Sequence, residues 1–276
     1  MRVTTVDMFG AAPGRGSAVD VLVPEGPCGE GIAAEAAAYA RRSTSDETVL
    51  VGEYCREQGT FTSRIFNADG ETPFATHSLA GAAACLVHTG LLAPGEVGRI
   101  AATCSQHLWT DGHQVRVPFE GRAVHQPIPH DPTLFGPYSG AAHAGGVGRA
   151  FNFVRISEDP RALPVPDLER MREVGLTDLT FFRWDPDRRE VLARVFAPGF
   201  GIPEDAGCLP AAAALALAAL RAAGERSAAV TVRQVTRHGS ESRFDCTGAL
   251  GDGQAGVRIT GRVWVPGSDD EKASGT

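Results

Sequence analysis

Three titratable side chains stand where an element begins or a turn closes. Glu47 follows Asp46 and opens the apolar run Thr48 to Val51. His77 lies near the start of a small-residue stretch that runs to His88, and Asp205 follows Glu204 in a Pro/Gly-rich turn ahead of the alanine run beginning at Pro210. Carboxyls and imidazoles are the groups with which proteins take and return protons. A carboxyl held in apolar surroundings has its pKa raised toward neutrality, where it can do both. Each residue also has a plain structural reading. Asp46-Glu47 reads as a surface pair, His77 as a core histidine bonded to backbone, and Asp205 as a turn or capping carboxylate.

Other chemistries are excluded or weak. The only lysine is Lys272, in the polar tail Gly267 to Thr276, which reads as a disordered segment. A pyridoxal phosphate Schiff base, a Ser-Lys hydrolase and a Walker P-loop each need an amine elsewhere, so none is expected. Cysteines 28, 55, 85, 104, 208 and 246 form no C-x-x-C pair, and no histidine has ligand-like companions at zinc spacing, so neither metal nor cofactor is expected. Gly145-Gly-Val-Gly148 follows no clear strand and is a weak dinucleotide signal. The net charge of −7, without a basic stripe, gives no reason to expect nucleic acid or an anionic membrane. The apolar run Pro210 to Leu220 is too short to span a bilayer. No signal-peptide pattern precedes the first strand, so a reduced cytoplasmic protein is the expectation.

The elements that position these residues are written twice. Arg64-Ile-Phe66 leads through a polar turn with Glu71 and Pro73 into the helix Thr76 to His88. Arg194-Val-Phe196 leads through the turn with Glu204 and Asp205 into the helix opened by Pro210, a residue suited to a first helical turn. The period is lobe-sized, so the repeat predicts a duplicated domain. At 276 residues, with 43% hydrophobic and 21% charged residues, the chain has the composition to bury a core in each half. The rest reads as strands Val3 to Phe9, Ala18 to Val23, Thr48 to Val51, Thr60 to Phe66, Ile100 to Thr103 and Gln114 to Phe119. These are followed by a linker-like stretch Arg122 to Gly148 that includes the first elements of the second half. Strands are then expected at Ala150 to Ile156, Leu179 to Trp184, Ala228 to Thr236, Ser242 to Thr247, Gly256 to Ile259 and Arg262 to Val265. Helices are expected at Gly31 to Arg42, outside the sheet, and near Pro166 to Val174. Both alanine-rich helices are apolar all round and should be wrapped by sheet.

These residues resemble the PhzF-like family. The second copy is similar to its R-x-F-A-P-x-x-G-I-x-E-D-P-x-T-G-S-A stretch, and the first to E-x-P-x-C/A-G-H-A/P-T-L. Val6-Asp7-Met8-Phe9 with the loop Pro13 to Val21 is similar to V-D-V-F-x-x-x-P-F-G-G-N-P-x-A-V, and Ser45-Asp-Glu-Thr-Val-Leu-Val51 to L-S-E-T-A-F-V. The segments occur in the family's order over most of the chain. The departures are Gly14, Arg15, Ser17 and Ala18 in the loop, Thr76 in place of the glycine before the histidine, and Cys208-Leu209-Pro210 in place of T-G-S.

The resemblance implies an α+β, diaminopimelate epimerase-like fold. Two pseudo-symmetric lobes, 1–121 and 122–266, would each be a curved mixed and antiparallel sheet around a central apolar helix, with the last strand free to pack on the first lobe. It implies a site in an interlobe cleft at both helix N-termini, with Glu47 as proton carrier and His77 and Asp205 as partners. Neighbours on a strand point to opposite faces, so only one of Asp46 and Glu47 should face that cleft. Ser45, Thr76, Ser78, Gly16, Ser17, Cys208 and Leu209 would line the substrate. The implied activity is a cofactor-independent isomerase that moves a proton between carbons of a small unsaturated carboxylic acid. A pathway of secondary metabolism, such as antibiotic biosynthesis, and a homodimer are implied with it. Two rivals remain open: a racemase or epimerase of a small amino acid, disfavoured because Ala75 stands where a first thiol base would be, and a small-molecule binding protein without chemistry. On that count Cys208 reads as a small buried residue.

Overall fold

The computed structural model describes residues 1–26, 29–72, 75–101, 105–128 and 142–267. Pro73, Phe74, Cys28, Thr103, Cys104, His130, the middle of the linker-like stretch (129–141) and the tail from 268 lie outside the described residues. The chain clusters into two compact units. Unit 1 is Met1–Val117 with the segment from Thr260 onward, and unit 2 is Pro118–Ile259, so the division falls at 117/118 rather than 121/122.

Unit 1 contains β1 (Arg2–Met8), β2 (Ser17–Val23), α1 (Glu30–Ala40), β3 (Glu47–Cys55), β4 (Thr60–Asn67), β5 (Gly70–Thr72), α2 (Thr76–His88), β6 (Gly95–Ile100), β7 (Ser105–Thr110) and the start of β8 (Gln114–Gln126). Unit 2 contains the rest of β8, then β9 (Ala142–Val147), β10 (Phe151–Arg155), α3 (Leu168–Glu173), β11 (Leu179–Asp185), β12 (Glu190–Ala197), β13 (Ile202–Asp205), α4 (Leu209–Ala223), β14 (Ser227–Val235), β15 (Glu241–Leu250) and β16 (Gln254–Trp264), whose last residues belong to unit 1.

The duplication is visible in the pairing. In unit 1 the ladder β7–β6–β4–β3–β2–β1 runs antiparallel, parallel, antiparallel, parallel, antiparallel. In unit 2 the ladder β15–β14–β12–β11–β10–β9 repeats that alternation. The short strands β5 and β13 add to β4 and β12 at matching places. β8 and β16 also pair, and Val263 N–H donates to the carbonyl of His113, just before β8, in unit 1 while Ala123 N–H donates to that of Gly253, just before β16, in unit 2.

Each ladder wraps its own helix. In α2, residues 76–87 are all buried, and in α4 Leu209 and residues 211–220 are buried, as small side chains allow when sheet lies on every side. α2 packs on β1, β2, β3 and β7, and α4 on β9, β12, β14 and β15. Gly81 shows how close the approach is: a Cβ there would lie 2.8 Å from Met8 Sδ and 3.1 Å from Val6 Cγ2. α4 ends on Gly224 in the left-handed region, with Glu225 N–H bonded to the Leu220 carbonyl. α1 lies on the other sheet face, packing Ala33, Ala36 and Ala40 on Leu22, Leu50 and Phe66.

Several elements differ from the sequence expectation. Gly256 to Ile259 and Arg262 to Val265 are one strand, β16. Gly261 does not break it, because the missing side chain makes room for the Phe9 ring. Of the strand expected at Ile100 to Thr103, Ile100 is the last residue of β6 and the end lies outside the described residues; β7 follows unannounced. The polar turns of the repeat contain the hairpin strands β5 and β13. β8 runs on to Gln126 and β9 begins at Ala142, both inside the stretch expected to be linker-like. α4 begins one residue early, at Leu209, which puts Pro210 second.

Candidate functional site

Glu47 starts β3 and is 4% exposed, whereas Asp46 beside it is exposed, as strand alternation requires. Val49 and Val51 follow Glu47 on the inner face, toward α2, while Leu50 packs outward against α1. The first turn of α2 brings His77 and Ser78 to the same carboxylate. Ser78 Oγ donates to Glu47 Oε2, and His77 Nε2 lies 3.3 Å from that oxygen. Ser78 is fully buried and His77 is 6% exposed. The serine hydroxyl satisfies one oxygen of a desolvated carboxylate, and the imidazole edge lies against that same oxygen. The residue preceding α2, Ala75, offers no side-chain cap, so the first-turn N–H groups and the positive end of the helix dipole stay beside this cluster.

The remaining candidates fall into separate groups. Ser17 is 1% exposed and donates to Asp46 Oδ2 at 2.6 Å. Gly16 packs where a Cβ would strike Met8 O and Asp7 Oδ1, and Gly14 N–H donates to Asp7 Oδ2 at 2.5 Å. Burial raises the Asp7 pKa despite those N–H bonds. Ser45 N–H donates to Ser43 Oγ, whose hydroxyl donates to the buried Asp20. Thr76 is buried in the first turn of α2.

Asp205, Cys208 and Leu209 belong to unit 2. Asp205 ends β13, is 7% exposed and accepts from Gly207 N–H at 2.8 Å. Leu209 is wholly buried in the core. Cys208 is clamped by Gln234, which accepts from Cys208 N–H at 2.7 Å and donates to its carbonyl at 2.8 Å. Desolvation, with Asp205 and Asp178 adding to it, pushes the Cys208 thiol well above its ordinary pKa. Such a thiol stays protonated and is a poor base.

Asp178 was not singled out from sequence. Thr48 pairs with Phe66, two residues after Arg64, and Leu179 pairs with Phe196, two residues after Arg194. The residues just before them, Glu47 and Asp178, are therefore counterparts in the duplication. Asp178 is 2% exposed, accepts from Asn152 N–H at 2.8 Å and Thr177 Oγ1 at 2.9 Å, and has its pKa raised by desolvation. The Arg-x-Phe repeat was the signal that could have found it. Among the described residues no group of three or more His, Cys, Asp or Glu side chains is arranged to hold a metal ion. Among them also, no helix is long and apolar enough to cross a membrane.

No protein-family model matches the chain, and no curated protein matches it. Solved structures do match. A phenazine biosynthesis protein of the PhzF family from Enterococcus faecalis aligns over 96% of both chains with a TM-score of 0.74 at 17% identity. The chain has the PhzF fold. Another PhzF-family phenazine biosynthesis protein, from Bacillus anthracis, aligns over 96% of this chain and 97% of that one, with a TM-score of 0.72 and 13% identity. A predicted epimerase from Pseudomonas aeruginosa shares the PhzF fold at 23% identity, with a TM-score of 0.68 over 96% of both chains.

Proposed function

We propose that this protein is an isomerase of the PhzF-like kind, in which Glu47 moves a proton between two carbons of a small unsaturated carboxylic acid and so shifts a double bond. The observation that carries this reading is a carboxylate 4% exposed, bonded by the Ser78 hydroxyl with the His77 imidazole 3.3 Å from the same oxygen, at the uncapped start of a buried helix. Glu47 would take the proton from one carbon and return it to the other, with no net change in the enzyme. His77 and Ser78 would hold the carboxylate in one orientation through both steps. The secondary-metabolic pathway is part of the same proposal.

The changed Cys208-Leu209-Pro210 segment favours a substrate other than that of the phenazine pathway, since Pro210 supplies no N–H and Leu209 is core. An epimerase using two thiols is disfavoured by Ala75 and by the elevated pKa of the Cys208 thiol. Incubating the protein in D2O with a panel of small unsaturated acids and amino acids, followed by proton NMR, tests the reading. Deuterium entering at two carbons of an unsaturated acid with a moved double bond supports it. Inversion at one carbon of an amino acid supports the epimerase, and no incorporation from any acid supports a binding protein.

A further inference from the structure

Arg99 on β6 points inward, on the same side as Val97, and is only 9% exposed. No carboxylate among the described residues pairs with it. Its guanidinium donates through Nη2 to the Ser63 carbonyl at 3.1 Å, while its Nε, equally buried, has no hydrogen-bond partner. Two neighbours share that condition. Gln106, directly across the β6–β7 ladder from Arg99, has a buried Oε1 without a partner, and Ser63 on β4 has a buried Oγ without one. A buried charge without a counter-ion, and buried polar atoms without partners, each cost stability.

The duplication shows that the fold does not require this polar trio. Phe61, three residues before Arg64, pairs with Arg99, and Val191, three residues before Arg194, pairs with Val232. Val232 in turn pairs with Phe244, as Arg99 does with Gln106. Ser63 corresponds to Ala193. Unit 2 therefore fills the three places with Val232, Phe244 and Ala193, each fully buried and apolar.

The geometry points to Arg99, Ser63 and Gln106 as a binding site for a small carboxylate that carries a hydroxyl or amino group. Arg99 Nε and the Ser63 hydroxyl donate to the carboxylate, and Gln106 Oε1 accepts from the ligand's own donor. The site differs from that of Glu47. Ser63 pairs with Val51, four residues along β3 from Glu47, a separation of about 13 Å at the rise of an extended strand.

Calorimetric titration of the full chain with acetate, glycolate and inorganic phosphate, at constant chloride, tests this. Glycolate should bind more tightly than acetate, and Arg99→Met should weaken both by about tenfold or more. Without ligand, Arg99→Met should melt no lower than the parent, because it removes an uncompensated buried charge. If Arg99→Met fails to fold, the purely structural role wins on that count, and Gln106→Leu decides the rest by abolishing the advantage of glycolate over acetate. Equal binding to parent and Arg99→Met, phosphate binding more tightly than glycolate, or no binding of any of the three would overturn the proposal. None of these outcomes depends on Glu47 chemistry, so the two readings fail separately.

Discussion

The duplicated Arg–Glu pair should be worth very different amounts in the two units. In unit 1, Arg64 forms a two-pronged contact with Glu71, Nε to Oε1 at 2.9 Å and Nη2 to Oε2 at 2.7 Å, but the side chains are 39% and 44% exposed. In unit 2, Arg194 makes the same fork with Glu204 at 2.5 and 3.2 Å, with side chains 0% and 12% exposed. Arg194 also donates to the Leu163 carbonyl at 2.6 Å, and Glu204 accepts from Arg237 N–H. Water screens the first pair, so Arg64→Met should cost at most about 1 kcal/mol. Arg194→Met strands the Glu204 carboxylate in a desolvated place and should cost about 3–5 kcal/mol. Urea unfolding followed by tryptophan fluorescence reads both variants, with Trp184 reporting on unit 2 and Trp109 and Trp264 on unit 1. Arg194→Met with Glu204→Leu should recover much of the loss, since no charge is then left unpaired. Equal losses for Arg64→Met and Arg194→Met, or a double variant as unstable as the single, would refute the reasoning.

Two further outcomes follow from the buried acids of unit 2. The folded-state pKa of Asp178 is raised, so its contribution to stability is full below the unfolded pKa and is lost as pH rises through the folded value. Asp178→Asn keeps an acceptor for Asn152 N–H. It should therefore flatten the fall in unfolding free energy as pH rises above the ordinary carboxylate range, and an unchanged slope would count against the assignment. The Cys208 thiol, held protonated, should react with iodoacetamide more slowly than Cys55 at pH 8, and Cys208→Ser should keep isomerisation within a few-fold of the parent. A Cys208→Ser protein with no activity would return the two-thiol reading.

The helices were legible because their signal is local. Thr76 to His88 is bounded in the structure as the sequence predicts, and the alanine run of α4 differs by one residue, since small apolar side chains all round a helix have few other uses. β7 was missed and β6 was met only at its last residue, because Gly95 and Gly98 dilute the alternation and Arg99 and Gln106 occupy inward positions where apolar residues would announce a strand. Sequence placed Glu47, His77 and Ser78 as candidates but could not show that Ser78, 31 residues from Glu47, donates its hydroxyl to that carboxylate. Asp178 was hidden for a related reason. Its role as the counterpart of Glu47 lies in strand register, and register is decided by cross-strand partners distant in the chain.

The central claim is that Glu47 carries the proton. Glu47→Gln keeps shape and hydrogen bonding but cannot shuttle a proton, so the direct measurement compares deuterium incorporation by parent and Glu47→Gln proteins, with Asp46→Asn as control, on an acid the parent turns over. The account predicts a fall of about 10²–10⁴-fold in the Glu47→Gln rate, with substrate affinity little changed and the Asp46→Asn rate near that of the parent. A Glu47→Gln protein that exchanges deuterium as fast as the parent would contradict it.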